Sequence, residues 1–456
     1  MANFGGLGLT DAQLSNLTSL GYEEMTAIQE MVLPTVLDGK DVIAQAKTGS
    51  GKTAAFALPL LAKLNPRHFG AQALVLCPTR ELATQVATEI RRLARHQQNI
   101  KVVILCGGQS IGPQIGSLEH GAHIIVGTPG RIKDHLRKET LKLGQVSTLV
   151  LDEADRMLDM GFFDDIESII KETPKSRQTL LFSATYPDNI RTLSARFQKA
   201  PETISAPSLH EESQLSQLFY LTKRSRKPES LQILLGHYQP DSAIVFCHTK
   251  DTTREVCAHL NDNDIAALAI NGDLEQRDRD QVLVQFRHQS CRILVATDVA
   301  ARGLDINDLP AVINYDLPKD PESYVHRIGR TGRAGNQGLA ISLLADRERH
   351  KLELIGGYQD REYDVVPIES LDNKSTMPPP DYVTLCIAAG RKDKVRPGDI
   401  LGALTGDAGI KGNTVGKITI SDYAAYVAVE TAVAAEAIKK LAAGKIKGRK
   451  FKIRRL

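Results

Sequence analysis

Apolar runs of four to six residues recur along the chain, each closing on a short polar tail. The first series is DVIA (41–44), then ALVLCPTREL, VVILCGGQ, HIIVGTPGR, TLVLDEAD and TLLFSAT, the last ending at Thr185. Helix-length segments separate them. Near-continuous apolar strands alternating with helices predict a parallel sheet covered on both faces. In such sheets ligands bind beyond the carboxyl ends of the strands, where all of these polar tails would fall. After a polar stretch near residues 206–216 the pattern restarts with SAIVFCHTK, IAALAINGD, RILVATD, AVINYDL and GLAISLL. It therefore predicts a second parallel α/β lobe to about residue 367. Beyond SLDNKSTMPPP (370–380), a Pro-ended linker, the texture changes. The order there reads strand YVTLCIAAG, helix PGDILGALTG, strands IKGNTVGKITISD and YAAYVAVE, Ala-rich helix TAVAAEAIKKLAAG and a last basic strand KIKGRKFKIRRL. β-α-β-β-α-β predicts a small split-βαβ sheet of the RRM topology.

Length and composition agree with several domains. The chain has 456 residues, 42% hydrophobic and 24% charged, which is too long for one core. No apolar run reaches the roughly 20 residues of a membrane span, and MANFGGLGLTDAQ lacks the basic start and apolar stretch of a secretory leader. The six cysteines (77, 106, 247, 257, 291 and 386) form no CxxC pair. They read as small buried hydrophobes of a reducing, cytoplasmic setting rather than a zinc or disulfide framework. The net charge of +3 says little about partners, but the last twelve residues carry seven cations and no acid, the footprint of a nucleic-acid contact.

The candidate chemistry begins where the first run ends. Residues 46–53 read Ala46-Lys47-Thr48-Gly49-Ser50-Gly51-Lys52-Thr53, a Gly-rich turn between a strand and a helix start. Glycines allow a tight turn whose amides face an anion, and the following helix adds its positive end. Lys52 can reach the β- and γ-phosphates of a nucleotide, and the Thr53 hydroxyl suits Mg²⁺. At the end of TLVL, Asp152 is the matching metal carboxylate and Glu153 the group that aligns and deprotonates water. In the second lobe no phosphate loop recurs. There Arg327, Arg330 and Arg333 are spaced by three, so they can share a helix face or tight turn. Arginines supplied across an interface stabilise a transferring phosphoryl group.

Taken in order, AKTGSGKT, PTRELA, GG, TPGR, DEAD and SAT resemble the motif series of the DEAD-box RNA helicases, whose name is spelled by Asp152-Glu153-Ala154-Asp155. The resemblance implies two RecA-like lobes, residues 1–206 and 217–367, sharing one ATP, with an RRM-like domain over 380–456. It makes GYEEMTAIQ an adenine-reading Q motif, with Tyr22 stacking on the base, Gln29 bonding its edge and Phe4 as the upstream aromatic. It implies Arg330 and Arg333 as fingers, and Gly303 and Asp305 of ARGLD at the nucleotide, Asp305 on the ribose. Ser183 and Thr185 would link the nucleotide state to the other lobe, through Asp155. RNA contacts carried over from the motif positions are Thr79, Arg80, Gly108, Thr128 and Arg131 in the first lobe, and Thr249, Gly272 and Thr297 in the second. Three positions depart from the common pattern: Ala46 for the first loop glycine, Met25 for proline and Asn271 for histidine.

The tail is similar to the RRM-like domain of one bacterial branch of that family, on RPGDILGALTG, GKI and KIKG. Stacking aromatics are sparse on its central strands, leaving Tyr426, so recognition leans on Lys394, Arg396, Lys417, Lys445, Lys447 and Arg449. That likeness implies a hairpin of 23S ribosomal RNA in the maturing large subunit as partner, for a monomeric enzyme. An ATP-gated RNA clamp without unwinding, and a DNA helicase, are the alternatives that the motifs leave open.

Overall fold

A computed structural model describes residues 3–46, 49–186, 188–205, 215–301, 306, 308–332, 337–372, 376–407 and 409–456. They form two compact units: the first lobe, and the second lobe together with the small C-terminal domain.

In the first lobe seven parallel strands build one sheet: β1 (Val42–Gln45), β2 (Ala73–Leu76), β3 (Val102–Leu105), β4 (Ile124–Gly127), β5 (Thr148–Leu151), β6 (Gln178–Ser183) and β7 (Glu202–Ser205). Their order across the sheet is β3-β4-β2-β5-β6-β1-β7. Alternate residues feed two cores. Val42, Ala44, Val150, Leu180 and Phe182 pack on one face, Ile43, Leu149, Leu151 and Leu181 on the other. Burial of both faces explains the unbroken apolar runs. Phe56, from the helix Lys52–Lys63 that follows the glycine loop, meets Phe182 edge-on at 5.3 Å. This contact fixes the loop's helix to the sheet.

The second lobe repeats the plan. Its strands are β8 (Leu215–Leu221), β9 (Ala243–Cys247), β10 (Ala267–Ile270), β11 (Ile293–Thr297), β12 (Ala311–Asn314), β13 (Gly338–Leu344) and β14 (Val365–Pro367). The order is β10-β11-β9-β12-β13-β8-β14, all parallel. This is the first sheet's order with every index raised by seven. β7, β8 and β14 are strands that the apolar-run pattern does not predict. β7 and β14 are edge strands with exposed residues, and β8 carries two consecutive polar residues, Ser216 and Gln217, in its first half.

The small domain has the antiparallel order β16-β17-β15-β18, with β15 Tyr382–Ile387, β16 Val415–Ile420, β17 Ala425–Glu430 and β18 Ile453–Arg455. One face packs on the helices Pro397–Gly402 and Ala434–Ala443 through Leu385, Ile387, Val427 and Val429. The basic tail is a strand only over its last residues; Ile446 and Arg449 pair across a turn before it. The other face rests on the second lobe. His288 bonds Thr419 at 2.9 Å, Ser290 bonds Thr384 at 2.7 Å, and Arg454 donates to Gln281 at 2.9 Å. Val284 packs with Cys386 and Tyr426 beneath them. The segment before the domain is not a free linker: Met377 is buried in the second lobe's core, Pro378–Pro380 follow, and Arg292 holds Asp381 at 2.9 Å.

His288 is 2% exposed at this seam. Burial, then the Lys417 and Arg287 cations, push its imidazole down from 6.5 to about 4. A depressed imidazole costs nothing above its ordinary value; below it, the undocked state gains a proton that the docked state refuses. Docking should therefore weaken as pH falls from about 6.5 toward 4. An NMR titration of the full chain should find the His288 ring protonating near 4. A chain ending at residue 379 should return it toward its ordinary value; an unchanged midpoint would show that the seam does not cause the shift.

Candidate active site

Because the strands are parallel, their carboxyl ends share one edge, and the strand order sorts the motifs along it. The turns after β2, β3 and β4 are neighbours, as are those after β5, β6 and β1. The turns expected to meet RNA and those expected to meet the nucleotide thus occupy adjacent halves of one edge.

At the nucleotide half, Gly49 and Gly51 have φ of 85° and 92°, a left-handed backbone that glycine adopts without penalty. Gly51 is also sterically constrained. A Cβ there would lie 2.5 Å from the Gln29 amide nitrogen and 2.9 Å from the Thr26 hydroxyl. Gln29 joins two segments: its Nε2 donates to Gly51 O at 3.1 Å, and its Oε1 accepts from Thr26 N at 3.0 Å. Its place in this structure is a strut between the Q segment and the phosphate loop. Tyr22 donates to Glu89 at 2.8 Å, and burial together with that bond raises its phenol. Phe4 is buried and meets the Tyr22 ring edge-on at 6.3 Å.

Lys52 is buried and donates to Ala46 O at 2.9 Å. Thr53 is half-buried beside it at the helix start. Asp152, 3% exposed, has an Oδ1 with no hydrogen-bond partner. Burial pushes its carboxyl up to about 6, against the Lys52 ammonium, which lowers it, and Glu153, which adds to the rise. A buried orphan carboxylate oxygen beside a phosphate loop suits a hard cation such as Mg²⁺. Glu153 has a left-handed backbone, φ 52°. Its carboxylate is held by Arg156 Nη1 at 2.8 Å, both side chains being buried. Arg156 was not predicted; its spacing of three from Glu153 within one turn is the only signal. Asp155 Oδ2 accepts from Ala184 N, Thr185 N and the Thr185 hydroxyl at 3.0, 3.0 and 3.1 Å. This ties the DEAD turn to the SAT turn across β5 and β6. Lys47, Thr48, Gly303, Asp305 and Arg333 lie outside the described residues.

At the other half, Thr79 caps the helix Arg80–Leu93 by accepting from Leu82 N. Arg80 lies over Gly108, whose φ is 72° and where any Cβ would overlap the guanidinium. Arg131 donates to Gln109 O at 2.9 Å, while its buried Nε and Nη1 have no hydrogen-bond partner. Thr128 precedes it at the helix start. The second lobe places its counterparts on the equivalent strands: Thr249 after β9, again a helix cap, Gly272 after β10 and Thr297 ending β11. Asn271, in the place of the common histidine, donates to Thr253 Oγ1 at 3.3 Å and accepts from Asp273 N at 3.1 Å, bracing that turn.

Of the spaced arginines, Arg327 and Arg330 are described, and their settings differ. Arg327 is buried and structural: it pairs with Asp298 at 2.6 and 2.7 Å, donates to Asn314 and Asp316 O, and lies over Phe246 at 5.0 Å. Arg330 sits beyond the helix Pro321–Ile328, in a turn whose carbonyl accepts from Leu309 N.

In the small domain Lys447 donates to Lys394 O and lies 4.0 Å from Asp399; Arg449 lies 3.8 Å from Asp393. Arg396 caps the helix carrying Asp399, and Lys445 is exposed. These cations gather in one region. Lys417 lies apart, on β16. Tyr426 departs from expectation: at 5% exposure under Val284 it offers no face to a base.

Replacing Asp155 with alanine leaves three backbone amides, those of Arg156, Ala184 and Thr185, without their acceptor. It should cost roughly 2–3 kcal/mol of first-lobe stability, against about 1 kcal/mol for Thr185→Ala. Urea unfolding of the nucleotide-free chain checks this; equal midpoints would remove Asp155 as the tie.

Three family profiles match in sequence: DEAD/DEAH box helicase over residues 26–193, helicase conserved C-terminal domain over 226–335, and DbpA RNA binding domain over 384–455. The chain is 53% identical over 448 residues to the ATP-dependent RNA helicase DbpA of Escherichia coli, covering 98% of each. It is 47% identical over 373 residues to the DEAD-box ATP-dependent RNA helicase CshA of Bacillus cereus, covering 82% of this chain and 71% of that one. Among solved structures, Saccharomyces cerevisiae Dbp5 bound to RNA and ADP BeF3 superposes with a TM-score of 0.72 at 32% identity, over 81% of this chain and 97% of that one.

Proposed function

This chain belongs to the DEAD-box ATP-dependent RNA helicases and carries a DbpA-type RNA-binding domain, and from that premise we propose how its residues work and on which RNA. The substrate triphosphate lies on the glycine loop, with Tyr22 against the adenine and Lys52 on the β- and γ-phosphates. Thr53 and Asp152 hold Mg²⁺, directly or through water; the ion supplies charge neutralisation for phosphoryl transfer. Glu153, aligned by Arg156, orients water and takes its proton. Arg330 and Arg333 complete the site when ATP and RNA bring the lobes together. The motif residues of both edges grip phosphates and sugars, which gives affinity without base reading. A strand bent to fit them leaves its duplex, and hydrolysis resets the enzyme.

The observation that carries this reading is the orphan oxygen of buried Asp152 beside Lys52. The repeated strand order supports paired RNA grips, since Thr79, Gly108 and Thr128 recur as Thr249, Gly272 and Thr297 on equivalent strands.

The finer target is a hairpin of 23S ribosomal RNA in the precursor large subunit, where a monomer acts on short duplexes in the cytoplasm. The cation cluster around Lys394, Lys447 and Arg449 supports an RNA contact there. The absence of any helix long and apolar enough to cross a membrane, among the described residues, fits that setting. So do six unpaired cysteines, five of them buried.

Arg330→Ala should abolish RNA-stimulated ATP turnover, by roughly 10³-fold as for other arginine fingers, and leave ATP binding intact. Unchanged turnover would reject the finger assignment. Removing residues 380–456 should keep stimulation by generic RNA and lose any preference for the ribosomal hairpin over unrelated RNA of equal length. A strand-displacement assay on the intact chain separates a helicase from an ATP-gated clamp.

A further inference from the structure

Where the small domain meets the second lobe, a cleft of about 200 Å³ opens beside the edge strand β16. It is lined by Arg287, His288 and Gln289, at the end of the helix Gln276–Arg287, and by Tyr382, Gly416, Lys417 and Ala428 of the small domain. We propose that this cleft is a binding site for one nucleotide unit of an RNA strand, with its phosphate between Arg287 and Lys417 and its base or ribose on the Tyr382 ring. The proposal rests on the reading of the small domain as an RNA binder.

Four features make the cleft a built site. The β16–β17 register shifts between Val415 and Ile418, so Lys417 sits in a bulge. Bulges re-aim side chains beside functional sites. Second, Gly416 is where the ring lies close: a Cβ there would stand 3.1 Å from Tyr382 Cε1 and 3.1 Å from Ala428 Cβ. Glycine lets the half-buried ring settle against the strand as a stacking floor. Third, the charges that reach His288, which itself lines the cleft, are both positive, Lys417 and Arg287, each disfavouring its protonation. Glu430 opposes Tyr382 in the strand register but does not line the cleft. Fourth, the broad face of this sheet, where an RRM stacks bases, is covered through Thr384, Cys386 and Tyr426. An aromatic beside paired cations at the seam replaces that lost platform.

The cleft has a consequence for order of assembly. Its two cations come from different domains, so an RNA phosphate bound there also bridges the seam and strengthens docking.

The test uses the full chain without nucleotide and a fluorescein-labelled RNA hairpin with a single-stranded extension, titrated by anisotropy at several salt concentrations. Lys417→Gln and Arg287→Gln should each weaken binding about 5-fold and lower the slope of log affinity against log salt by about one. Gly416→Ala, which displaces the ring, should weaken binding with the slope unchanged. Lys439→Gln, an exposed cation on the helix Ala434–Ala443, should do neither. Wild-type affinity and slope in both glutamine variants would overturn the cleft, as would an equal loss in Lys439→Gln. Failure of the unaltered chain to bind the hairpin would instead overturn RNA binding by the small domain.

Discussion

A parallel sheet sealed on both faces leaves polar groups only its two ends, and the motif turns lie beyond the carboxyl ends. Each large sheet here obeys that constraint, and the chemistry follows from it. The glycine loop, the acidic pair at 152–153 and the SAT turn lie side by side because β1, β6 and β5 are adjacent. Once adjacent, they interlock: Gln29 needs Gly51 bare, Lys52 needs Ala46 O, and Asp155 needs the SAT amides. The site is therefore preorganised by backbone contacts that carry no ligand. Among the described side chains there, Asp152 Oδ1 and the Ser183 hydroxyl are left without a hydrogen-bond partner, and of the two the carboxylate oxygen suits an incoming cation.

The sealed strands were also what made the fold readable. Runs such as TLVL and AIVFC are buried throughout, so their apolar character is unbroken and their ends are marked by the first polar residue. Strands at or beside an edge lack that signature. ETIS and VVP leave exposed positions, and LSQLFYL mixes polar residues with apolar ones. The site showed the same division. Spacing within a turn places Lys52 and Asp152, but no local pattern says that Arg327 spends its charge on Asp298 rather than presenting it. Nor does it say that Gln29 is a strut, because Gly51 is distant in sequence. Tyr426 is the clearest case: an aromatic on a central strand reads as a stacking platform until another domain is found lying on it.

That covering also accounts for the scarcity of aromatics in the small domain. Thr384, Cys386 and Ala428 occupy the face where exposed rings would be expected, and they are small enough for the helix Gln276–Arg287 to approach. Thr384 finds hydroxyl and imidazole partners there, so its burial costs little. A face shaped to receive a neighbour cannot also receive bases.

The chain between these two domains bears on how often they separate. Met377 is fixed in one body and Tyr382 begins a strand of the other, which leaves four residues to span the gap, three of them prolines. Such a tether, five Cα–Cα steps from Met377 to Tyr382, reaches no more than about 18 Å and holds an extended, semi-rigid form. At that reach the effective concentration of one partner near the other is on the order of millimolar or above. Release of the seam would therefore be brief and local: the small domain swings on a stiff arm and recaptures its berth, rather than exploring solution as a freely tethered module would.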